Sequence, residues 1–452
     1  MDTLIINGCY PDFEQNRMRK GNIGVEGGKI CYIGSETPPA EAAIDAFGRV
    51  VSPGFIDIHM HEENFDEDGE GYIIGELMLK MGVTTVCGGN CGMQNQELSR
   101  FKETVCRLGG APVNYVMLAG YNQMRYRLGM GHNEALSEGQ RGQVLELLSR
   151  ELEEGACGIS FGIEYDPAMT FEDMAEALEL LSGDQRYLAA AHFRQSADGA
   201  AASIKEMIGL SQSCGVKFQI SHLGSCSATG QMAESLRLIE EAVQAGALID
   251  YDVYPYNAFS TLIGSAVFEK ESLDQWCEDI GTIMLTQEPY KNVFCTEALL
   301  RQVRKEYPDM MAVGFIMNEE EIAQAISGKG GMIASDGILN RGNGHPRAAG
   351  TFPRVLGRYV REQKKLSLLE ALRKMTLAPA QRLSLPAKGR IALGADGDLT
   401  VFDPEAILDC ASYDNLYQQP EGIDCVLIGG RMAVDHKEVV NDRLGRFIPF
   451  AL

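Results

Sequence analysis

Pro53-Gly-Phe-Ile-Asp-Ile-His-Met-His61 is the stretch on which the reading of this chain turns. An apolar run over residues 50–58 ends in two imidazoles, His59 and His61, spaced two residues apart. Side chains i and i+2 of a strand point to the same face, so both rings can reach one ion at the end of a buried strand. The chain has seven histidines in 452 residues, so two within three positions suggest a shared task.

Outward from this stretch, residues 51–385 alternate apolar, strand-like runs with helical segments, the pattern of a parallel α/β fold. Eight strands are expected, at 51–58, 83–87, 114–119, 158–162, 188–191, 217–221, 247–253 and 331–335. Helical segments such as 170–182 and 232–245 lie between them, and 257–330 reads as an insertion. Eight such units predict a TIM (β/α)8 barrel. Residues 1–50 and 386–452 read instead as short strands with tight turns, Gly27-Gly28 among them. The expected architecture is a barrel over 51–385 with a small β-sandwich domain built from both termini, 1–50 plus 386–452.

Barrels of this kind carry their reactive groups at the C-terminal ends of the strands. The expected strand ends hold His59 and His61, Cys91 in a glycine-flanked turn, Glu164 and Tyr165, His192, His222 and Asp336. Imidazole, thiolate and carboxylate together suit zinc, whereas magnesium favours an all-oxygen shell. Glu164 fits either a bridge to a second metal or a substrate contact. Asp336 fits an N-cap or a proton carrier, since a carboxylate beside zinc-activated water can take its proton and pass it to a leaving amine. His192 and His222 each follow an apolar run, where a lone histidine would serve the core; as a pair on consecutive strands they read as ligands. His132 and His436 sit in polar loops and receive no role.

The formal net charge, 40 basic against 63 acidic side chains, is −23. That argues against nucleic acid or an anionic membrane as a partner, because both select a positive face. Twelve cysteines without a repeated spacing, no signal-peptide pattern and no apolar run near the roughly 20 residues of a membrane span point to a reducing, cytoplasmic setting. Self-association is left open.

These residues are joined by Gly82-Val-Thr-Thr-Val-Cys-Gly-Gly-Asn-Cys-Gly92, Asp252-Val-Tyr-Pro-Tyr256 and Ser335-Asp-Gly337. Further along come His345-Pro-Arg-Ala-Ala-Gly-Thr-Phe-Pro-Arg-Val-Leu-Gly357 and the run from Gly389 to Pro404. On all of these the chain resembles the amidohydrolase superfamily, and within it the N-acyl-D-amino-acid deacylase (D-aminoacylase) group. The resemblance implies a tight zinc held by Cys91, His192 and His222, with His59 and His61 completing a pair or forming a second site. It implies Asp336 as general base and acid, and Tyr165, Tyr254 and Ser260 along the substrate pocket. His345 and Arg347, from the group's own block, are carried over to the substrate side. The chain also departs from the pattern. It has Gly224 where the group has a carboxylate-binding lysine, Glu62 where Asp is usual, and Gly120-Tyr121 where Gly-His is common. Arg194, Arg347 and Arg125 are the candidates to replace that lysine, because a guanidinium binds a carboxylate through two parallel hydrogen bonds.

The expected activity is zinc-dependent hydrolysis of the amide of a small molecule, an N-acyl-D-amino acid. One alternative is a cyclic-amide hydrolase of the hydantoinase or dihydroorotase kind, which by resemblance would carry a bridging lysine on the fourth strand; none lies between Ser160 and Asp173. A non-catalytic scaffold on the same fold is the other, and it would be expected to lose ligands that this chain retains.

Overall fold

The structure is a computed structural model that describes residues 1–65, 69 and 71–450. Phe55–Asp57, Val83–Gly88 and Asn114–Met117 form one parallel sheet. A second parallel sheet runs in the order Met332–Ile333, Ile249–Val253, Lys217–Ile220, Leu188–His192, Gly158–Gly162 and Ala119–Gly120. The two sheets approach each other at both margins. Only Leu118 separates Met117 from Ala119, and Met60 bridges Gly337 in parallel while the Asp336 N–H donates to His59 O at 2.8 Å. Buried carboxylate Asp57 reinforces the second margin by accepting the Ser335 N–H at 3.0 Å.

The period-two rule accounts for what faces inward. Ile56, Ile58, Cys87, Val116, Leu118, Leu188, Ala190 and Met332 meet in one cluster between the strands. Their neighbours Phe55, Val83, Val86, Ala189, Ala191 and Ile220 pack outward into the larger core under the helices. Leu188, Ala190 and His192 share a face, so the same alternation that buries two apolar residues carries the imidazole inward at the strand end. The helix Phe171–Glu179 starts at Thr170, whose hydroxyl accepts the Asp173 N–H while the Asp173 carboxylate accepts the Thr170 N–H.

The first expected strand is in fact two. Val50–Pro53 runs antiparallel to Leu399–Phe402, and Phe55–Asp57 then joins Val83–Gly88 in parallel. The chain crosses between sheets at Gly54, where any Cβ would stand 2.1 Å from Thr84 Oγ1. The expected boundary at residue 50 is therefore corrected to this glycine. The terminal strands form one nine-stranded sheet in which Val50–Pro53 and Leu399–Phe402 join the N-terminal half to the C-terminal half. Ile5, Ile23, Val25, Val51, Leu399, Val401 and Leu427 share a core of their own. The last stretch departs from the assignment of 386–452 to that unit: Gly445 bridges Ala111, Phe447 bridges Tyr115, and the Phe450 N–H donates to Gly155 O, all in the parallel region. The 257–330 segment holds a small antiparallel sheet of Phe259–Leu262, Met311–Gly314 and Ile283–Leu285.

Behind the first parallel strand, Phe55 stacks on Phe352 with centroids 5.6 Å apart and planes 8° from parallel. Phe352 is fully buried in the helix Arg347–Arg354. We expect Phe352→Ala to destabilise the protein by about 3–5 kcal/mol, read as a lower thermal midpoint in calorimetry, with Phe352→Leu recovering most of the loss. An unchanged midpoint would show that this stack does not anchor the helix.

Candidate functional site

The sequence after Val83–Gly88 can fold only as a tight turn. Cys91 has φ +53° and is flanked by Gly89 and Gly92, both at φ +71°. A Cβ on Gly92 would lie 1.8 Å from Asn122 Oδ1, and one on Gly89 2.0 Å from Leu118 O, so neither site admits a side chain. The Gly92 N–H donates to Ser160 Oγ at 2.9 Å, and Asn90 Nδ2 donates to Cys87 O at 2.9 Å. Glu62 fastens the outer side by accepting the N–H groups of Gly89 at 2.8 Å and Asn95 at 2.9 Å. The departure from Asp at position 62 thus has a structural use here, with the longer side chain spanning two turns of backbone. His222 at φ +36° and Asp336 at φ +46° share the left-handed conformation of Cys91. Non-glycine residues held there cost of order 1–3 kcal/mol each, so the surrounding structure must hold them in place.

These turns bring the expected strand-end residues together. Cys91 Sγ lies 3.4 Å from His59 Nε2 and 3.5 Å from His222 Nε2. Asp336 Oδ1 lies 3.5 Å from His59 Nε2 and 3.3 Å from His61 Nε2. Three triads have donor atoms within 4.8 Å of one another: His59, His61 and Cys91; Cys91, His192 and His222; and His59, His222 and Asp336. All six residues are buried. Bonds of about 2.0–2.1 Å from zinc to imidazole and about 2.3 Å to thiolate, at tetrahedral angles, set the N–S separation at about 3.6 Å. The Cys91–His59 and Cys91–His222 distances fit a metal of that size, and the donor set fits its chemistry.

Behind the donors sits a layer that orients them. His59 Nδ1 is 3.1 Å from Asp252 Oδ1, which also accepts the His222 N–H at 2.7 Å, while Gln219 Nε2 donates to the other oxygen at 3.2 Å. Ser225 Oγ is 2.8 Å from His222 Nδ1. Such partners fix the ring orientation and leave the other nitrogen facing the site. The sequence reading assigned no role to Asp252 or Ser225. Their positions inside the Asp252 motif and three residues after His222 were the only available signals.

The charges follow from this packing. Burial alone would raise the Cys91 thiol, but His59 and His222 beside it bring it well below its usual range. Burial opposes charging of His61 and His192, yet hydrogen bonds with Asp336 and Cys91 for the one, and with Cys91 and Glu164 for the other, raise both to about 9. Burial would raise Asp336 as well, but the Arg347 guanidinium, 2.9 Å from Oδ2, holds it well below the ordinary carboxylate range together with His61. Two anionic groups thus draw positive charge to the ring nitrogens between them.

The remaining expected residues divide. Glu164 belongs to none of the three triads; its Oε2 lies 2.8 Å from His192 Nε2. The Tyr165 ring packs 4.5 Å from His192 and its hydroxyl is 3.2 Å from Thr261 Oγ1. Arg347 stacks over Tyr254 at 4.6 Å and donates to Ser260 O at 3.1 Å, while its Nε and Nη1 are buried with no hydrogen-bond partner among the described residues. Ser260 Oγ is likewise unpartnered and faces the cavity. Three expectations are corrected. Arg194 is spent on Glu206 and on the carbonyls of Pro167 and Met169, so it does not reach the cluster. His345 is buried behind the site, accepting the Arg347 N–H at Nδ1 and meeting the Tyr413 hydroxyl at Nε2. Arg125 is paired with Asp166. At Gly224 a Cβ would come within 2.7 Å of Ile322 Cδ1, so the space of the absent lysine is already filled. A small cavity of about 30 Å³ opens beside His192, His222 and Asp336, and another of about 190 Å³ beside His61, Cys91 and Asp336.

The profile of the Amidohydrolase family matches residues 328–434. The N-acyl-D-glutamate deacylase of Alcaligenes xylosoxydans xylosoxydans is 29% identical to this chain over 99% of it and 96% of that relative. The solved N-acyl-D-glutamate deacylase of Bordetella bronchiseptica, complexed with zinc and a phosphonate inhibitor that mimics the tetrahedral intermediate, superposes with a TM-score of 0.89 at 25% identity over 99% of both chains. A D-aminoacylase structure described by its binuclear metal centre gives a TM-score of 0.87 at 27% identity, again over 99% of both. This likeness in sequence and fold runs the full length of a chain whose own strand ends gather thiolate, imidazole and carboxylate. On those grounds the chain is similar over its whole length to the N-acyl-D-amino-acid deacylases, and residues 328–434 match the Amidohydrolase family.

Proposed function

We propose that the protein is a zinc-dependent hydrolase that removes the acyl group from N-acyl-D-amino acids. The observation that carries this reading is the single thiolate, Cys91, shared between two donor triads at one mouth of the parallel strands. Cys91, His192 and His222 would hold the tight zinc, and His59, His61 and Cys91 a second. Zinc supplies activation of water at neutral pH and polarisation of the amide carbonyl. The chain's own groups do the rest. Asp336 takes a proton from the attacking water and returns it to the departing nitrogen, giving a carboxylic acid and an amine. Arg347 keeps Asp336 ionised and poised as a base. Asp252 and Ser225 fix the rings of His59 and His222, and Glu164 does the same for His192.

Arg347 is also the group that reads the substrate carboxylate in place of the lysine absent at Gly224. Its two buried nitrogens with no partner among the described residues, Nε and Nη1, belong to the guanidinium that contacts Ser260 O and Asp336 Oδ2, and both of those residues line the cavity. A buried donor without a partner is costly, which favours an arriving carboxylate. The cyclic-amide alternative fits less well, because Glu164 pairs with His192 at the place where that class would use a bridging lysine. We read the two parallel sheets as arcs of one closed eight-stranded barrel, with the nine-stranded terminal sheet as the second unit. Its twelve free thiols suit a cytoplasmic setting.

Asp336→Asn should lower kcat by about 10²–10⁴-fold while the purified variant keeps its zinc; undiminished turnover would take Asp336 out of the proton path. Arg347→Met should erase most of a wild-type preference of about 10²-fold for a free α-carboxylate over the corresponding carboxamide, measured as a ratio of kcat/KM values. Chelation should abolish activity and zinc should restore it. Because His61 and His192 titrate near 9 and must lose their protons to ligate, zinc affinity should climb with pH toward that value and then level off. Calorimetry at neutral pH in buffers of different ionisation enthalpy should register proton release, and a pH-independent affinity would count against ligation by these rings.

A further inference from the structure

A further cavity, of about 380 Å³, is larger than either space beside the metal donors and shares no lining residue with them. It forms where the first hairpin of the terminal sheet meets the helix Leu377–Arg382. Arg382 on that helix donates to Leu248 O at 3.1 Å, just before the strand Ile249–Val253, whereas His222 and Asp336 follow the far ends of their strands. The helix therefore stands at the opposite end of the parallel strands from the donors. Tyr10, Phe13, Ile33, Leu377 and Ile391 give the cavity aromatic and aliphatic walls, and Arg390 lines it as well. Arg390 Nε is buried without a hydrogen-bond partner, and no described residue pairs with the guanidinium. In a chain with 63 acidic against 40 basic side chains, an arginine left without a carboxylate stands out. Lys388, two residues earlier, has both Asp396, at 3.0 Å, and Asp398. Arg19, also on the wall, is 3.2 Å from Asp12 Oδ2, and Asp12 Oδ1 accepts the Gln15 N–H at 3.0 Å. Glu14, the other acid on the wall, is exposed.

Both walls are braced by the fold itself. Gly389, before Arg390, has φ +72°, and a Cβ there would come 2.4 Å from Thr376 O, so the backbone is confined at this point. Across the cavity, Arg373 holds the hairpin tip, 5.0 Å over the Phe13 ring and donating to Phe13 O at 3.2 Å. A buried donor without a partner carries a desolvation cost that an arriving anion removes. A cavity of about 300–1,000 Å³ with apolar walls and a few polar groups is the usual form of a small-molecule site. We infer that this cavity is a second binding site, separate from the metal centre, for a small organic carboxylate with an aromatic or branched aliphatic body. The carboxylate meets Arg390 and the body lies against Phe13, Leu377 and Ile391. This gives a use to the start of the run from Gly389 to Pro404, which contributes no group to the metal cluster.

Fluorine NMR titration of 4-fluorophenylacetate into the zinc-loaded protein tests this. Arg347→Met, which removes the carboxylate contact proposed at the metal centre, should retain saturable binding with a Kd of about 1 mM or tighter. Adding Arg390→Met should weaken that binding by about 10- to 100-fold, while Arg390→Lys keeps part of it. Leu377→Glu, which sets an anion on the wall, should weaken it likewise and serves if Arg390→Met fails to fold. Two control ligands should bind at least about tenfold more weakly: 4-fluorophenylacetamide, which has the shape without the charge, and inorganic phosphate, which has the charge without the body. Equal affinity with and without Arg390, equal affinity for the acid and either control, or no saturable binding up to about 10 mM would overturn the inference. Binding is read without turnover, so the outcome stands apart from the deacylase reading.

Discussion

Cys91 Sγ lies within 3.5 Å of ring nitrogens from two separate strand ends, and a buried thiolate in that position must be matched by positive charge. Most of the geometry at this mouth follows from that requirement. The thiolate is a small, soft donor on a short side chain, so the backbone has to come to it, and a left-handed residue between two left-handed glycines achieves this. Glu62 and Ser160 then hold the turn from outside it, and Asn90 within it ties back to the Cys87 carbonyl. A cysteine placed this way can serve two donor triads at once, which lets one residue do the joining that a longer bridging side chain would otherwise do.

The second dependency is electrostatic. Asp336 can carry protons only if it is anionic when substrate arrives, and it is buried, which by itself opposes ionisation. Arg347 resolves the conflict, but a fully buried guanidinium is itself expensive. The structure offsets that cost with the Tyr254 ring face and the Ser260 carbonyl. Its placement comes from the helix Arg347–Arg354, whose first turn is set by His345 accepting the Arg347 N–H and whose far side is fixed by Phe352 on Phe55. His345 therefore matters to the site through the arginine two residues on.

This explains what could be read from the sequence. The strand ends were legible because period-two alternation and apolar runs are local signals, and a histidine that interrupts such a run stands out; His192 and His222 were visible for that reason. Gly54 was not, because the residues on both sides of it are apolar and extended, and only the identity of the partner strand separates Val50–Pro53 from Phe55–Asp57. Arg194 and Arg347 looked equivalent as sequence, each a guanidinium near a motif. Glu206, twelve residues beyond Arg194, claims one of them, while no described residue claims the Nε and Nη1 of the other. Asp252 and Ser225 went unassigned because orienting a ring leaves no mark in spacing.

The two halves of the site have different origins in the chain, and that separates chemistry from selectivity. Every donor in the three triads sits at or just beyond a parallel strand, where shifting one residue would disturb pairings on both sides. The wall of the smaller cavity comes instead from the 257–330 segment, whose antiparallel sheet and aromatic packing are internal to it. Side chains there can change size or polarity without moving a ligand. The filled space at Gly224 belongs to the same division. Ile322 and Met317 already occupy the space that a side chain at Gly224 would enter, so that flank is given to packing. The metal-ligand candidates and the cavity wall are thus held by separate parts of the chain.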